Sequence, residues 1–167
     1  MAIDQKNIKG DLVDWIKSYK PEYFITLMLA PNVKAAKSVI ERAQKLGKNA
    51  LNYLVGRHKS DSGTANFSFV PVCESCEDGK LHLHILLGGG FKAGIGMEET
   101  KVFFRDYWSS LTGTMHPKYH DSTDHKWFQR IKDIDAVVSY ALKGVNLKDP
   151  YNNKTLLLDA VKLRSTK

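Results

Sequence analysis

Two alternating segments joined by a short polar stretch constrain this chain more than any other feature of its sequence. Residues 66–74 are Asn-Phe-Ser-Phe-Val-Pro-Val-Cys-Glu, and residues 80–90 are Lys-Leu-His-Leu-His-Ile-Leu-Leu-Gly-Gly-Gly. Successive side chains of a β-strand point to opposite faces, so this alternation is typical of strands that bury one face in a core. The intervening Glu77-Asp78-Gly79 suits a turn. The sequence therefore predicts a β-hairpin.

His82 and His84 are two residues apart in the second of these strands and therefore point to the same face. Leucine and isoleucine occupy the odd-numbered positions and form the other face. Imidazole binds Zn, Mn, Fe or Cu readily, so the pair supplies half of a typical metal site. The alternative is that both histidines are ordinary polar residues on a solvated face.

The register of the hairpin decides which acidic residue joins the histidines, because directly opposed residues of antiparallel strands share a face. The odd-numbered positions are the more apolar in both strands, and burying both sets in one core pairs odd residues with odd residues. Glu74 then lies opposite or diagonal to His82. A two-residue Asp78-Gly79 turn would instead bring Cys73 opposite His84. We predict a loop of odd length, because the other register splits the apolar face.

Two imidazoles and a carboxylate leave open positions on a bound ion. This donor set suits Mn²⁺ or Mg²⁺ acting on a phosphate better than a closed structural site. A competing interpretation is a zinc site formed by Cys73, Cys76, His82 and His84. One Cys-x-x-Cys without a second pair is a weak signal, and Cys73 falls on the core face in the predicted register. We therefore favour the open site of Glu74, His82 and His84.

The rest of the chain predicts helices and strands around the hairpin. The apolar run Tyr23–Leu29 indicates a central strand. Periodicity and capping signals predict further elements. These are helices over residues 8–19, 32–47, 49–57 and 98–110, a strand over 126–132, and a last helix from Asp133 or Asp135 to about Gly144. The fold class expected from this order is α+β, a central antiparallel sheet with flanking helices.

Composition narrows the choice of partners and compartment. The chain has 25 Lys and Arg against 18 Asp and Glu, a formal charge of +7, which favours a polyanion such as nucleic acid. No apolar run approaches the roughly 18 residues of a transmembrane helix, and residues 1–20 lack the apolar core of a signal peptide. We expect a cytoplasmic protein with no membrane partner. Its 167 residues fit one domain, spanning residues 1–167.

A tyrosine in the last predicted helix is the candidate nucleophile. The apolar stripe of that helix comprises Ile134, Val138, Ala141 and Val145. Tyr140 falls outside this stripe, and Lys143 follows it at i+3. A tyrosine hydroxyl with a pKa of about 10 is a poor nucleophile, so a cation such as Lys143 and a metal-bound phosphate would help to activate it. The alternative is a surface tyrosine beside a solvated lysine.

Together these motifs resemble the HUH endonucleases, specifically the single-tyrosine replication initiators called Rep. Glu74 lies eight residues before His82, and Tyr-x-x-Lys follows at Tyr140 and Lys143 on a later helix. The similarity spans roughly residues 23–144. The first Rep motif is matched only as an apolar strand, and the chain has no room for the helicase domain that many viral relatives carry.

The resemblance implies a ferredoxin/RRM-like HUH fold and a metal-dependent, sequence-specific nickase of single-stranded DNA at the replication origin of a plasmid, phage or virus. In such an enzyme Glu74, His82 and His84 would hold Mn²⁺ or Mg²⁺ at the scissile phosphate. Tyr140 would attack, leaving a 5′-phosphotyrosyl link and a free 3′-hydroxyl for a polymerase, and the reverse reaction would join strands. Unwinding would come from a separate host or viral helicase.

Lys126, Arg130 and Lys132 are candidates for contacts to the DNA backbone. They share one face of the strand predicted for residues 126–132, with Trp127 on the other.

Three other functions remain open from the sequence. HUH transposases also place the tyrosine after His-x-His, whereas relaxases place it before, where this chain has Tyr19 and Tyr23. From a different class, an α+β sheet with a basic face is also found in noncatalytic binders of single-stranded nucleic acid. Such binders stack bases on exposed sheet aromatics, and the histidine face of the predicted strand has none.

Overall fold

The structure, a computed structural model, describes residues 5–29, 36–57, 66–75, 81–112, 127–145, 154–156 and 161–164. The helices are α1 (Gln5–Ser18), α2 (Ala36–Leu54), α3 (Met97–Thr112) and α4 (Ile134–Leu142). The strands are β1 (Tyr23–Met28), β2 (Phe67–Ser75), β3 (Leu81–Gly89), β4 (Phe128–Arg130), β5 (Lys154–Leu156) and β6 (Lys162–Arg164). Among the described residues no helix is long and apolar enough to cross a membrane.

The strands form one antiparallel sheet with the order β4-β1-β3-β2-β5, and β6 pairs with the other end of β2. The order of β1 to β4 is that of the split βαβ, ferredoxin-like motif. The predicted α+β class, a central antiparallel sheet with flanking helices, is confirmed. The central position predicted for the first apolar strand is also correct, because β1 lies between β3 and β4.

The hairpin of β2 and β3 has the predicted register. Glu74 pairs with His82, and Cys73 pairs with Leu83. The last pair is Ser75 with Leu81, which leaves an odd number of residues, 76–80, between the strands. Odd residues therefore oppose odd residues, because both strands bury their apolar odd-numbered side chains in one core.

The odd-numbered face of the sheet packs against α2 and α3. Trp108 and Phe104 of α3 are fully buried there, and the Trp108 indole N–H donates to the carbonyl of Met28 at 2.9 Å. Burying an aromatic side chain of this size contributes about 1.5–3 kcal/mol. This contact joins α3 to the end of β1.

The predicted helix end at Gly47 is wrong, because α2 continues to Leu54 and includes the short second helix predicted for residues 49–57. Gly47 serves close packing instead. A Cβ atom at this position would lie 2.9 Å from two ring carbons of Phe69, whose side chain is fully buried. The missing side chain lets the helix approach the sheet.

The even-numbered face is covered over part of its area by α1 and α4. Ile16 of α1 and Val138 of α4 are buried there against β2 and β3. Lys17 and Asp135 form an ion pair between the two helices, and this carboxylate raises the pKa of Lys17. The remaining area of this face contains the histidines.

The last predicted elements differ from the structure in extent. The strand predicted for residues 126–132 is limited to β4, and α4 ends at Leu142 rather than near Gly144. Two strands in the thinly patterned tail, β5 and β6, were not predicted. Each pairs with β2 in the described part of the chain and is three residues long, which is too short for a periodicity of its own.

Candidate functional site

A cavity of about 630 Å³ opens on the even-numbered face, between the sheet and α4. Its walls come from β1, β2, β3, β4 and α4. They comprise Phe24, Thr26, Glu74, His82, His84, Gln129, Ala136, Val137 and Tyr140. The structure thus brings together four of the predicted site residues, which come from three separate elements of the chain.

His84 is the most enclosed of these four residues, with 4% of its surface exposed. Its Nε2 lies 2.6 Å from Oε2 of Glu74, and its Nδ1 lies 3.0 Å from the hydroxyl of Thr26. The ring of Phe24 stacks on the imidazole, with centroids 5.3 Å apart and planes at 12°. A hydroxyl can donate or accept, so Thr26 can pair with either tautomer of His84. Both ring nitrogens of His84 therefore have a hydrogen-bond partner, and the stacked Phe24 fixes the plane of the ring.

His82 and Glu74 complete the cluster from adjacent strands. The two imidazole centroids are 6.2 Å apart, with the rings edge to face. Glu74 is directly opposite His82 in the register, while its carboxylate reaches diagonally to His84. Its side chain is 28% exposed, so this carboxylate is accessible from the cavity. The carboxylate thereby contacts His84 and lies on the sheet face that carries both imidazoles.

Tyr140 faces this cluster from α4 and is 53% exposed. Its ring centroid lies 6.2 Å from that of His84 and 6.0 Å from that of Phe24, edge-on to both. The predicted separation of Tyr140 from the apolar stripe is confirmed. The helix is held in place at its start by Asp133, whose side chain accepts the Ala136 N–H at 3.0 Å.

Lys143 is not part of the helix. It is the C-cap of α4, exposed to solvent, and its backbone N–H donates to the carbonyl of Tyr140 at 3.2 Å. The predicted i+3 placement on a continuous helix is therefore wrong. Gly144 follows with a φ of 81°, a left-handed conformation that favours glycine and ends the helix.

The donor set of the cluster suits a divalent metal ion. Two imidazoles and a carboxylate are ligands for Mn²⁺, and the cavity gives space for further oxygen ligands. Adjacent ligands of an octahedral ion with bonds of about 2.1 Å lie about 3.0 Å apart, somewhat farther than the 2.6 Å between Glu74 and His84. In the described part of the chain no three His, Cys, Asp or Glu side chains form a ready-made metal site. Binding an ion thus requires the Glu74–His84 hydrogen bond to open.

The alternative zinc site does not fit the register. Cys73 pairs with Leu83 and packs against the core on the opposite face of the sheet from His82 and His84. Cys76 lies outside the described residues.

The predicted basic residues are distributed differently from the prediction. Arg130 pairs with Tyr23 across β4 and β1. The even residues of β4 therefore lie on the face that carries the odd residues of β1, so Arg130 and the buried Phe128 are on the odd-numbered face of the sheet. Lys132 is exposed and follows the strand, and Lys126 lies outside the described residues. The predicted strand with three basic residues on one face is therefore wrong in extent, because β4 ends at Arg130.

Thr26, Phe24 and Gln129 belong to the site but were not predicted. Thr26 pairs with His84, and Phe24 pairs with both Leu86 and Gln129. These pairings join strands that are far apart in the sequence. The sequence shows which residues of β1 share a face, because side chains alternate along a strand. It does not show how β1 pairs with β3.

Comparisons of this chain with protein-family models, with curated proteins and with solved structures found no match. The function is therefore inferred from the chemistry of the site and from the resemblance of its motifs.

Proposed function

We propose that this protein is a metal-dependent, sequence-specific endonuclease of the HUH type that nicks and joins single-stranded DNA to initiate rolling-circle replication of a plasmid, phage or virus. The observation that carries this proposal is the position of Tyr140. Its half-exposed ring lies 6.2 Å from the ring of His84, in the same cavity as His82 and Glu74. A half-exposed tyrosine in the same cavity as two imidazoles and a carboxylate suits phosphoryl transfer.

The proposed reaction is a transesterification at phosphorus. The oxygen of Tyr140 bonds to the scissile phosphate and the bond from phosphorus to the 3′ oxygen breaks. The phenol loses its proton, the departing 3′ oxygen gains one, and the 5′-phosphate stays on the tyrosine. Joining is the reverse reaction. No net oxidation or hydrolysis occurs, so the strand can be closed again.

A Mn²⁺ or Mg²⁺ ion held by Glu74, His82 and His84 would polarise the scissile phosphate. The protein's own part is to hold these donors and the nucleophile in place. Thr26 and Phe24 orient the imidazole of His84, and α4 holds Tyr140 against it. Lys143, exposed at the end of α4, is proposed to offset negative charge that develops during attack.

The position of Tyr23, one of the two upstream tyrosines, supports a nucleophile that follows the histidines, as in Rep proteins, over the relaxase order. Tyr23 is 5% exposed and lies on the odd-numbered face, opposite to His84.

The free 3′-hydroxyl left by nicking would be extended by a polymerase, and a separate helicase would unwind the duplex. We place this activity in the cytoplasm of a bacterium or virus-infected cell.

The decisive experiment is a covalent capture assay. The protein is incubated with Mn²⁺ and a random-sequence pool of single-stranded DNA, and an adduct that survives SDS is sought on a gel. We expect the adduct with the wild-type protein and with Tyr53→Phe, a matched change at another exposed tyrosine. We expect none with Tyr140→Phe or after adding EDTA. An adduct that persists in Tyr140→Phe would refute the assignment of the nucleophile.

The metal ligands are tested by calorimetric titration of Mn²⁺. Glu74→Ala removes the carboxylate that faces both histidines, so affinity falls by about tenfold or more, whereas Glu77→Ala leaves it near the wild-type value. Equal losses from the two substitutions would contradict the assigned ligand set.

A further inference from the structure

A second cavity, of about 650 Å³, adjoins the one that contains Tyr140. We call it the edge cavity, because it lies along β4, which forms one edge of the sheet. Gln129, Ala136 and Val137 line both cavities. A ligand held at Tyr140 can therefore extend over Gln129 into the edge cavity without leaving the protein surface.

Four of the residues that line the edge cavity are apolar, namely Met97, Phe128, Ala136 and Val137. Phe128 is fully buried, so the apolar surface open to a ligand comes from Met97, Ala136 and Val137. Cavities of this size that combine apolar surface with polar groups are typical of ligand sites. An aromatic base fits such walls better than a hydrated phosphate does.

The polar groups of the edge cavity include both cations and anions. Arg130 and Lys132 provide the positive charges, and Glu98 and Asp133 provide the negative ones. The formal charges cancel, so a site for phosphate alone is not favoured. The guanidinium, the carboxylates and the amide of Gln129 together offer donors and acceptors for the edge of a nucleobase.

We propose that the edge cavity binds one unpaired guanine of the DNA strand that Tyr140 nicks, and that Arg130 reads its edge. This inference rests on the proposed nuclease function and adds to it a determinant of sequence specificity. An arginine fork pairs with O6 and N7 of guanine, and a carboxylate such as Glu98 accepts from its ring N–H and amino group. Among the four bases, only guanine combines two adjacent acceptors for the fork with two adjacent donors for a carboxylate.

The test is selection of bound sequences from a random pool of single-stranded DNA, using Tyr140→Phe protein so that binding is measured without nicking. We expect guanine to be enriched at one position of the bound strands. Arg130→Ala, made in the same background, lowers that enrichment about tenfold and leaves the other positions unchanged. Arg130→Lys keeps the charge but loses the fork, so we expect the same loss of enrichment.

Lys48→Ala is the matched control, because it removes one charge from an exposed position on α2 that lines neither cavity. It leaves the enrichment intact. If Arg130→Ala weakens binding to every sequence equally, or changes nothing, the edge cavity does not read a base and the inference is overturned.

The same protein without the Tyr140 substitution is assayed for the covalent adduct with Mn²⁺ in parallel. An adduct without an Arg130-dependent base preference would overturn the edge cavity and leave the nuclease function standing. An Arg130-dependent preference without any adduct would overturn the nuclease function and leave the base-reading role of the edge cavity standing. The absence of both would overturn both.

Discussion

Replacing Thr26 by valine removes one hydroxyl from the site and little else. Valine has nearly the shape of threonine and suits a central strand. The lost group is the hydroxyl 3.0 Å from Nδ1 of His84, an imidazole with only 4% of its surface exposed. Water has little access to replace this contact. Leaving a buried polar atom without its partner costs about 1–3 kcal/mol of unfolding free energy.

The effect on metal binding follows from the same contact. When Nε2 of His84 faces a metal ion, Nδ1 carries the proton and needs an acceptor, which the Thr26 hydroxyl supplies. Loss of such a supporting partner lowers metal affinity by about tenfold to a hundredfold. We expect a loss of this size in Thr26→Val, and near wild-type affinity in Thr26→Ser, which keeps the hydroxyl.

Three measurements check this expectation. Urea unfolding gives the change in stability, titration calorimetry gives the affinity for Mn²⁺, and ¹⁵N NMR of labelled histidine reports the tautomer of His84. Wild-type values of affinity and tautomer in Thr26→Val would refute the role assigned to the hydroxyl. Equal weakening in Thr26→Ser would also refute it, because the effect would then come from packing rather than from the hydrogen bond.

Asp133→Ala removes the capping acceptor of α4 and should lower the unfolding free energy by about 1 kcal/mol, measured by urea denaturation. Gly47→Ala should destabilise by about 1–3 kcal/mol, since its Cβ would press on the Phe69 ring, whereas Gly10→Ala, in open space, should stabilise α1 by about 1 kcal/mol. The pKa of Glu99 is lowered by backbone N–H donors, so its contribution to stability is present at neutral pH and is lost as the pH falls through that lowered pKa. Glu99→Gln should therefore show a smaller loss of stability in acid, and equal acid sensitivity would contradict this assignment.

The hairpin and its metal donors were predictable because they depend on a local rule. Side chains alternate along a strand, and only registers that pair odd with odd residues bury both apolar faces, so Glu74 had to share the face of His82 and His84. The exposure of Tyr140 followed from helix periodicity in the same way. Both rules act over one element or one short connection. Residue type and spacing are enough to apply them.

Other parts of the site depend on contacts between distant segments. The pairing of Thr26 with His84 requires β1 to lie beside β3, and the pairing of Gln129 with Phe24 requires β4 to lie on the other side of β1. The role of Gly47 is visible only once α2 packs on Phe69, because glycine alone also suits a helix end. The three-residue strands β5 and β6 exist only through β2.

The sequence by itself therefore determined the fold class, the faces on which the hairpin side chains lie and the side of α4 on which Tyr140 lies. The tertiary structure decided that α4 brings Tyr140 over the histidines, and that Thr26 and Phe24 hold His84 from a neighbouring strand. It also moved Arg130 to the opposite face and made it a wall of a second cavity. The physical reason is the distance along the chain over which each effect operates. Periodicity describes residues that are close in the sequence, whereas the site is assembled when segments far apart in the chain bury their apolar faces against each other.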